Sequence, residues 1–427
     1  LILTGAIGYL GTGFLPAAKA GELRAGASRV PITPLEREFP YQEGGERPFV
    51  GIHDDVYTRA LVLDDGVNRT AIVSIEVTAI PDAAQIVKEV ARAAGVPETR
   101  IMVAATHTHN VPLVFFHSPE PNRIQKQEID RIHQSAVQAV HDAISHLESA
   151  RIAFASGEAW VNVNNGEQAG LKTGYDPKGP SEKTLDVVRV ERVSGEPLAL
   201  MVNYAAHAEV MFRSATKDGG YEVSGDLPGA VSRMLEGSGA GAPVVLYLSG
   251  AEGDQLTVYK SLHPEGQLPA KDEGAAGWGL LAAQSYRLGA AVLDVVRGMP
   301  QGSSTATIRA ESSSVSCPGQ RLRVDNQTGK ATAQDTPPAT IPLTLIRIND
   351  IAIAGIGGDV ASDIGRAIRL STPAPHTVVT TMLAGAVGYI LSDASYDRPG
   401  HGLAGSPLKA GCAERALVDG FSALAKK

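Results

Sequence analysis

Only two cysteines occur in 427 residues, and aromatic residues make up 5% of the chain. Cys317 and Cys412 have no CxxC or CxxH spacing, which excludes zinc held by cysteine and a disulfide-dense scaffold. One bridge between them and two buried small thiols both remain open. Scarce aromatics beside 46 glycines suit a loop-rich α/β protein better than a helical bundle. The formal net charge is -8 and no Lys/Arg block stands out, so nucleic acid is excluded as a partner. No GxGxxG follows the first strand and no Walker loop is present, so nucleotide binding has no support. No internal repeat is visible, which excludes a solenoid.

What is present is ordinary globular composition, 43% hydrophobic and 20% charged, long enough for one large core or two domains. Residues 1–20 are the exception. Leu1 to Leu15 are mostly apolar or small, and Ala18-Lys19-Ala20 follows as a small-x-small pattern. This reads as part of a secretory signal peptide, with the basic n-region outside the sequence. A membrane anchor is the rival, but Gly5, Gly8, Gly11, Gly13 and Pro16 make a poor spanning helix, and the run falls short of ~20 apolar residues. The expected location is secreted or periplasmic. No later segment is apolar enough to span a bilayer.

Residues 21–427 read as alternating strands and helices. Strands are expected over 59–63 and 70–75, joined by the turn Asp64-Asp65-Gly66. Further strands are expected at 101–105, 152–155, 187–193, 198–204, 244–248, 344–356 and 377–383. Helical spacing covers 81–94, 127–147, 229–235, 275–296, 363–370 and 413–425. Residues 162–181, rich in Gly, Asn and Pro, read as a surface loop near a substrate mouth. Residues 301–338, rich in Ser, Thr and Gln, read as an irregular insertion. The expected fold is α/β, with layered sheets flanked by helices in a single large domain.

The most informative stretch is Ile101-Met102-Val103-Ala104-Ala105-Thr106-His107-Thr108-His109-Asn110-Val111-Pro112. A short buried strand ends in two histidines one residue apart, and residues two apart on a strand share a face. Imidazole is a common neutral ligand for zinc. The alternative is a polar pair closing the strand onto loop carbonyls. The same pattern recurs. Apolar strands also end at His207, at Ser249-Gly250-Ala251-Glu252-Gly253-Asp254, at Gly357-Gly358-Asp359 and at Gly388-Tyr389. Five such endings suggest strand ends converging on one pocket. Two histidines from different strands plus a carboxylate satisfy a catalytic zinc, whose bound water has a pKa of ~7. For His207 the alternative is a satisfied carbonyl, with Glu209 as its salt partner rather than an orienting group. Ser224-Gly225-Asp226-Leu227-Pro228-Gly229 reads as a helix N-terminus. Its Ser or Asp caps the helix, or its N–H groups stand ready for an oxyanion.

Thr106-His107-Thr108-His109, Asn203-Tyr204-Ala205-Ala206-His207, Ser224 to Gly229, Gly253-Asp254, Gly357-Gly358-Asp359 and Gly388-Tyr389 occur in a fixed order. Ile32-Thr33-Pro34 and Gly51-Ile52-His53 open the series. Over nearly its full length after residue 20, the chain resembles the N-terminal catalytic domain of neutral/alkaline non-lysosomal ceramidases. The resemblance implies a zinc amidohydrolase cleaving the N-acyl amide of ceramide, with His107, His207, Asp359 and Tyr389 as zinc ligands. His109 becomes the acid/base, and Tyr389 or N–H groups near Ser224 stabilise the oxyanion. The implied partners are Zn2+ and a lipid substrate reached by peripheral membrane contact. Three departures stand out. Asp359 replaces the family's glutamate. Asn165 replaces its arginine. Gly253-Asp254-Gln255-Leu256-Thr257 lacks its serine, for which Thr257 substitutes only in a shifted register. These departures keep a second reading in view: a non-catalytic lipid or glycan binder, or a hydrolase of another ester or amide.

Overall fold

The structure, a computed structural model, describes residues 20–42, 47–112, 121–165, 174–237, 243–263, 271–324, 331–397 and 405–427. The first nineteen residues, which carry most of the expected signal peptide, lie outside these, as do residues 166–173 of the loop expected over 162–181, whose first four residues, Asn162–Asn165, form a short strand instead. The longer strands are β1 (Arg24–Pro31), β2 (Tyr57–Asp64), β3 (Arg69–Ile75), β4 (Ile101–Ala105), β5 (Glu148–Glu158), β6 (Thr184–Arg192), β7 (Pro197–Tyr204), β8 (Val244–Ser249), β9 (Ile308–Val324), β10 (Ala331–Ile348), β11 (Ile351–Ile356) and β12 (His376–Thr380). The helices are α1 (Ala83–Ala94), α2 (Arg123–Ser145), α3 (Asp226–Glu236), α4 (Gly277–Gly298), α5 (Ser362–Ser371) and α6 (Ala413–Leu424).

Eight strands form one sheet in the order β8-β7-β6-β5-β1-β2-β3-β4, and β9-β10-β11-β12 form a second. Most neighbours are antiparallel, but β3–β4, β7–β8 and β11–β12 run parallel. Side-chain alternation explains the layering. On β2, Leu61 and Leu63 enter a core shared with Ile346, Ile348, Ile351 and Ile353 of the second sheet. The intervening Ala60 and Val62 join Ile86 of α1 and Ile132, Ala136 and Val140 of α2 on the opposite face. Farther along that face, α3 and α4 cover β6 to β8 through Val231, Leu235, Leu281, Leu288 and Val292. On the outer face of the second sheet, Ile364, Ile368, Leu417 and Phe421 from α5 and α6 cover Leu343, Leu345 and Ile356. The result is helix, sheet, sheet, helix, the layered α/β fold that the sequence implies.

Two differences from the sequence reading have physical causes. Helix α2 starts four residues early. Asn122 accepts from the N–H of Gln125 while the Gln125 side chain accepts from the N–H of Asn122, a reciprocal cap that overrides the weak apolar spacing. The stretch 301–338 is not an irregular insertion. Most of it belongs to β9 and β10, a long antiparallel hairpin in register from Ile308↔Ile348 to Val324↔Ala331. Its outer half extends beyond β11, which pairs only with Leu343 to Ile348. That half is largely exposed and carries no alternating apolar signal. Pro337 and Pro338 fall where the register shifts between Cys317 and Gly319, a place where missing N–H donors are tolerated. The open question about the cysteines is also answered: Cys317 and Cys412 form a disulfide with Cα atoms 5.8 Å apart, tying this hairpin to the start of α6.

Candidate metal centre

The C-terminal ends of β4, β7 and β11 lead into one buried pocket. After β4 the chain turns sharply, and His107 takes φ +59°, a left-handed backbone uncommon for a residue with a Cβ. The N–H of His109 donates to the carbonyl of Ala208 at 3.1 Å, which joins this turn to the segment after β7. The N–H of His207 donates to Gln255 O at 2.8 Å, which joins it to the segment after β8. Beyond β11, Asp359–Val360 pairs in parallel with Tyr389–Ile390, so Asp359 and Tyr389 stand side by side. Distant chain segments are thus locked together by main-chain bonds before any ligand is considered.

The side chains converge. His107 Nε2 lies 3.2 Å from His109 Nε2 and 3.8 Å from Asp359 Oδ2. His207 Nε2 lies 3.2 Å from the same Asp359 oxygen and 3.4 Å from the Tyr389 hydroxyl. One ring nitrogen from each of the three histidines lies within 4.8 Å of the other two. His107 Nδ1–H donates to Thr78 O at 2.7 Å, and His207 Nδ1–H donates to Glu252 O at 2.9 Å. Carbonyl acceptors of this kind fix the tautomer, so both Nε2 lone pairs face the common space. Asp359 Oδ1 is buried without a hydrogen-bond partner. A buried, unmatched carboxylate oxygen is costly unless something cationic takes it up. The donor set of imidazole nitrogens, one carboxylate and a phenol oxygen fits Zn2+.

Electrostatics agree with this arrangement. Burial, with His207 nearby, lowers His107, and burial with His107 nearby lowers His109 well below the usual imidazole value. Both rings are therefore neutral donors at pH 7. Burial also opposes charge on His207, but Asp359 outweighs it and pushes the ring up to about 10. A bound cation takes the place of that proton, since metal and proton compete for the same nitrogen. Burial, reinforced by Asp359, raises Tyr389 well above the ordinary phenol value.

Of the residues singled out from sequence, His107, His109, His207, Asp359 and Tyr389 share this pocket. Ser224 does not serve it. Its hydroxyl donates to Asp54 Oδ2 at 2.8 Å, and the N–H groups of Gly225, Asp226 and Leu227 are taken by Asp54, Ser224 and Asp226 side chains. These three N–H groups are satisfied by nearby side chains, and none of them is left for an oxyanion. Asp226 also accepts from Val210 and Met211 N–H, pinning the segment after His207. Asn165 donates its N–H to Asp254 O and accepts from Gly174 N–H through its side chain. Thr257 is fully buried in a short strand. Glu209, expected beside His207, turns instead toward His109, with Oε1 3.7 Å from Nδ1. Its other oxygen is paired with Lys260. Nothing local in the sequence marks Lys260, and only tertiary packing brings it here.

The fold and this pocket define an α/β protein built around a candidate metal centre at its strand ends. The family described as neutral/alkaline non-lysosomal ceramidase, N-terminal, matches residues 44–244. Neutral ceramidase A of Dictyostelium discoideum is 27% identical over 203 residues, covering 44% of this chain and 28% of that protein. Neutral ceramidase B of the same organism is 26% identical over 148 residues, covering 33% and 20%. The match therefore spans under a third of either relative's length. Among solved structures, the neutral ceramidase of Pseudomonas aeruginosa superposes with TM-score 0.72 at 17% identity, over 95% of this chain and 75% of that one. A ceramidase complexed with C2 superposes with TM-score 0.74 at 16% identity, with the same coverage. Over residues 44–244 the chain is similar to the neutral/alkaline non-lysosomal ceramidase family, and it shares the fold of the solved ceramidases.

Proposed function

We propose that this protein is a zinc-dependent amidohydrolase that cleaves an N-acyl amide, with a ceramide-like lipid as the first substrate. The observation that carries the reading is the meeting of His107, His207, Asp359 and Tyr389 around one space, with Asp359 Oδ1 unmatched. His107, His207 and Asp359 would hold the ion, with the Tyr389 hydroxyl beside them. When bound, zinc supplies a Lewis acid and water with a pKa of ~7. His109, neutral and facing the same space, takes the proton of the attacking water and returns it to the leaving amine. The Tyr389 hydroxyl donates to the developing oxyanion. The relatives named as ceramidases support an amide of a lipid as substrate, which the protein would meet by peripheral contact with a membrane. The Cys317–Cys412 bridge supports a secreted or periplasmic location, since disulfides persist in oxidising compartments.

The test is metal content and turnover of the purified chain on short- and long-chain N-acyl amides. About one zinc per chain is expected, with hydrolysis lost on chelation and regained with zinc. Full turnover in metal-free protein would overturn the proposal. A specific observation favours altered amine or acyl preference within the same chemistry. At the position of the family's arginine, Asn165 is engaged with Asp254 and Gly174. A substrate panel that ranks another amide or ester above ceramide would establish that second reading.

A further inference from the structure

We infer that the Cys317–Cys412 disulfide positions the Tyr389 ring, acting through β9 and through Gly405, whose backbone packs directly against that ring. The inference rests on the proposed function only for what the Tyr389 hydroxyl then does. Tyr389 lies in a strand of two residues, paired along one edge with Asp359–Val360. So short a strand fixes the main chain but leaves the ring in need of a wall. Gly405 provides it. A Cβ added at Gly405 would stand 2.6 Å from Cδ2 and 3.0 Å from Cε2 of the Tyr389 ring, closer than a real side chain comes. The close approach of the ring is what excludes a side chain there. Gly388 is held as tightly, since a Cβ on it would lie 2.9 Å from the Gly405 carbonyl oxygen.

The segment that begins at Gly405 is gripped by β9. On the edge of β9 that β10 leaves open, the Gln320 N–H donates to Pro407 O at 2.8 Å, and the Lys409 N–H donates to Pro318 O at 2.9 Å. The Gln320 side-chain amide donates to Leu408 O at 2.7 Å, and the Tyr396 hydroxyl donates to the same oxygen at 2.9 Å. Leu408 is fully buried in one core cluster with Cys317, Val360 and Ile390. The disulfide closes this contact covalently, with Cys317 at the register shift in β9 and Cys412 at the start of α6.

A segment held by a few hydrogen bonds opens locally at small free-energy cost. The hairpin that grips it is itself largely exposed in its outer half. A covalent bridge restricts that opening. Once the grip loosens, the Gly405 wall moves and the Tyr389 ring gains room. Its hydroxyl stands 3.4 Å from His207 Nε2, and a misplacement of about 1 Å in such a site costs about 100-fold in rate. The bridge and Gly405 are positioning elements. Neither touches the reacting atoms, and both act through one phenol ring.

The experiment observes that ring directly. The full chain is labelled with 3-fluorotyrosine, and 19F spectra are recorded with and without zinc. The Tyr389 signal is assigned by its loss in Tyr389→Phe. Opening the bridge with Cys317→Ser and Cys412→Ser together should shift or split this signal, and Gly405→Ala should shift it with the bridge intact. Leu288→Ala truncates the core under α4. It should lower stability and leave the Tyr389 signal in place. With a working substrate, opening the bridge should lower kcat by as much as about 100-fold, with KM changed less. A Tyr389 signal unmoved in the folded bridge-free chain or in folded Gly405→Ala overturns the inference. So does one moved equally by Leu288→Ala, since it would then report stability alone. Should the double serine variant not fold, Cys317→Ala with Cys412→Ser keeps the buried position apolar and is read in the same way. Absent zinc or unchanged turnover counts against the hydrolase reading alone, because the ring is also observed in the metal-free chain.

Discussion

Replacing Arg59 with Met tests whether the frame behind the pocket is held by charge. Arg59 lies in β2, and its guanidinium pairs with Glu76 just after β3 and with Glu236 at the end of α3. The three side chains are 2%, 1% and 3% exposed, so the buried case applies rather than the weak surface one. Removing one partner of a buried pair costs about 3–5 kcal/mol, because the other charge is left stranded. An unfolding entropy of ~2.1 cal/mol/K per residue gives a chain of this length roughly 0.9 kcal/mol/K, so the melting midpoint should fall about 3–6 °C. The pH dependence identifies the cause. Burial already raises Glu76 above 4.5, with Arg59 opposing it. Without Arg59 its folded-state pKa rises further above the unfolded value. The folded state then keeps a proton that the unfolded state releases, so stability is lost as pH rises through that window. The deficit of Arg59→Met should be largest at neutral pH and should shrink toward about pH 5. Adding Glu76→Gln should recover most of it, since Glu76 is then no longer a stranded carboxylate, while Glu236 keeps Arg29 at 2.6 Å. Denaturant or calorimetric unfolding across pH checks this. A loss below about 1 kcal/mol at pH 7, or one that ignores pH, would refute the reasoning. The effect reaches the pocket, because Thr78, whose carbonyl fixes His107, lies two residues beyond Glu76.

His207→Ala should fold yet lose bound zinc, read by metal analysis beside circular dichroism; full zinc occupancy would remove His207 from the site. Tyr389→Phe should lower kcat by about 10²–10³, the usual cost of one oxyanion donor, and unchanged turnover would exclude the hydroxyl. Replacing Cys317 and Cys412 with Ser opens a bridge spanning a sequence separation of 95. That should cost about 2–4 kcal/mol, seen as a lower melting midpoint that reducing agent lowers no further.

The sequence alone was enough to locate most strands and helices and to nominate five of the pocket residues. Strand ends leading to His107, His207 and Asp359 are legible because each follows a short apolar run, and a strand's side chains alternate by simple geometry; Tyr389 instead opens a two-residue strand well beyond β12. Helix ends set by reciprocal caps, and the long hairpin from Ile308 to Ile348, were less legible. Cap bonds are local but not apolar, and the outer half of the hairpin, exposed on both faces, has no buried side to reveal it. Tertiary structure alone decided three things. It turned Glu209 toward His109 rather than His207, brought Lys260 in from another segment, and committed Ser224 to Asp54. Each depends on contacts between residues 50 to 170 positions apart, and the free energy of such contacts exists only once the layers have packed.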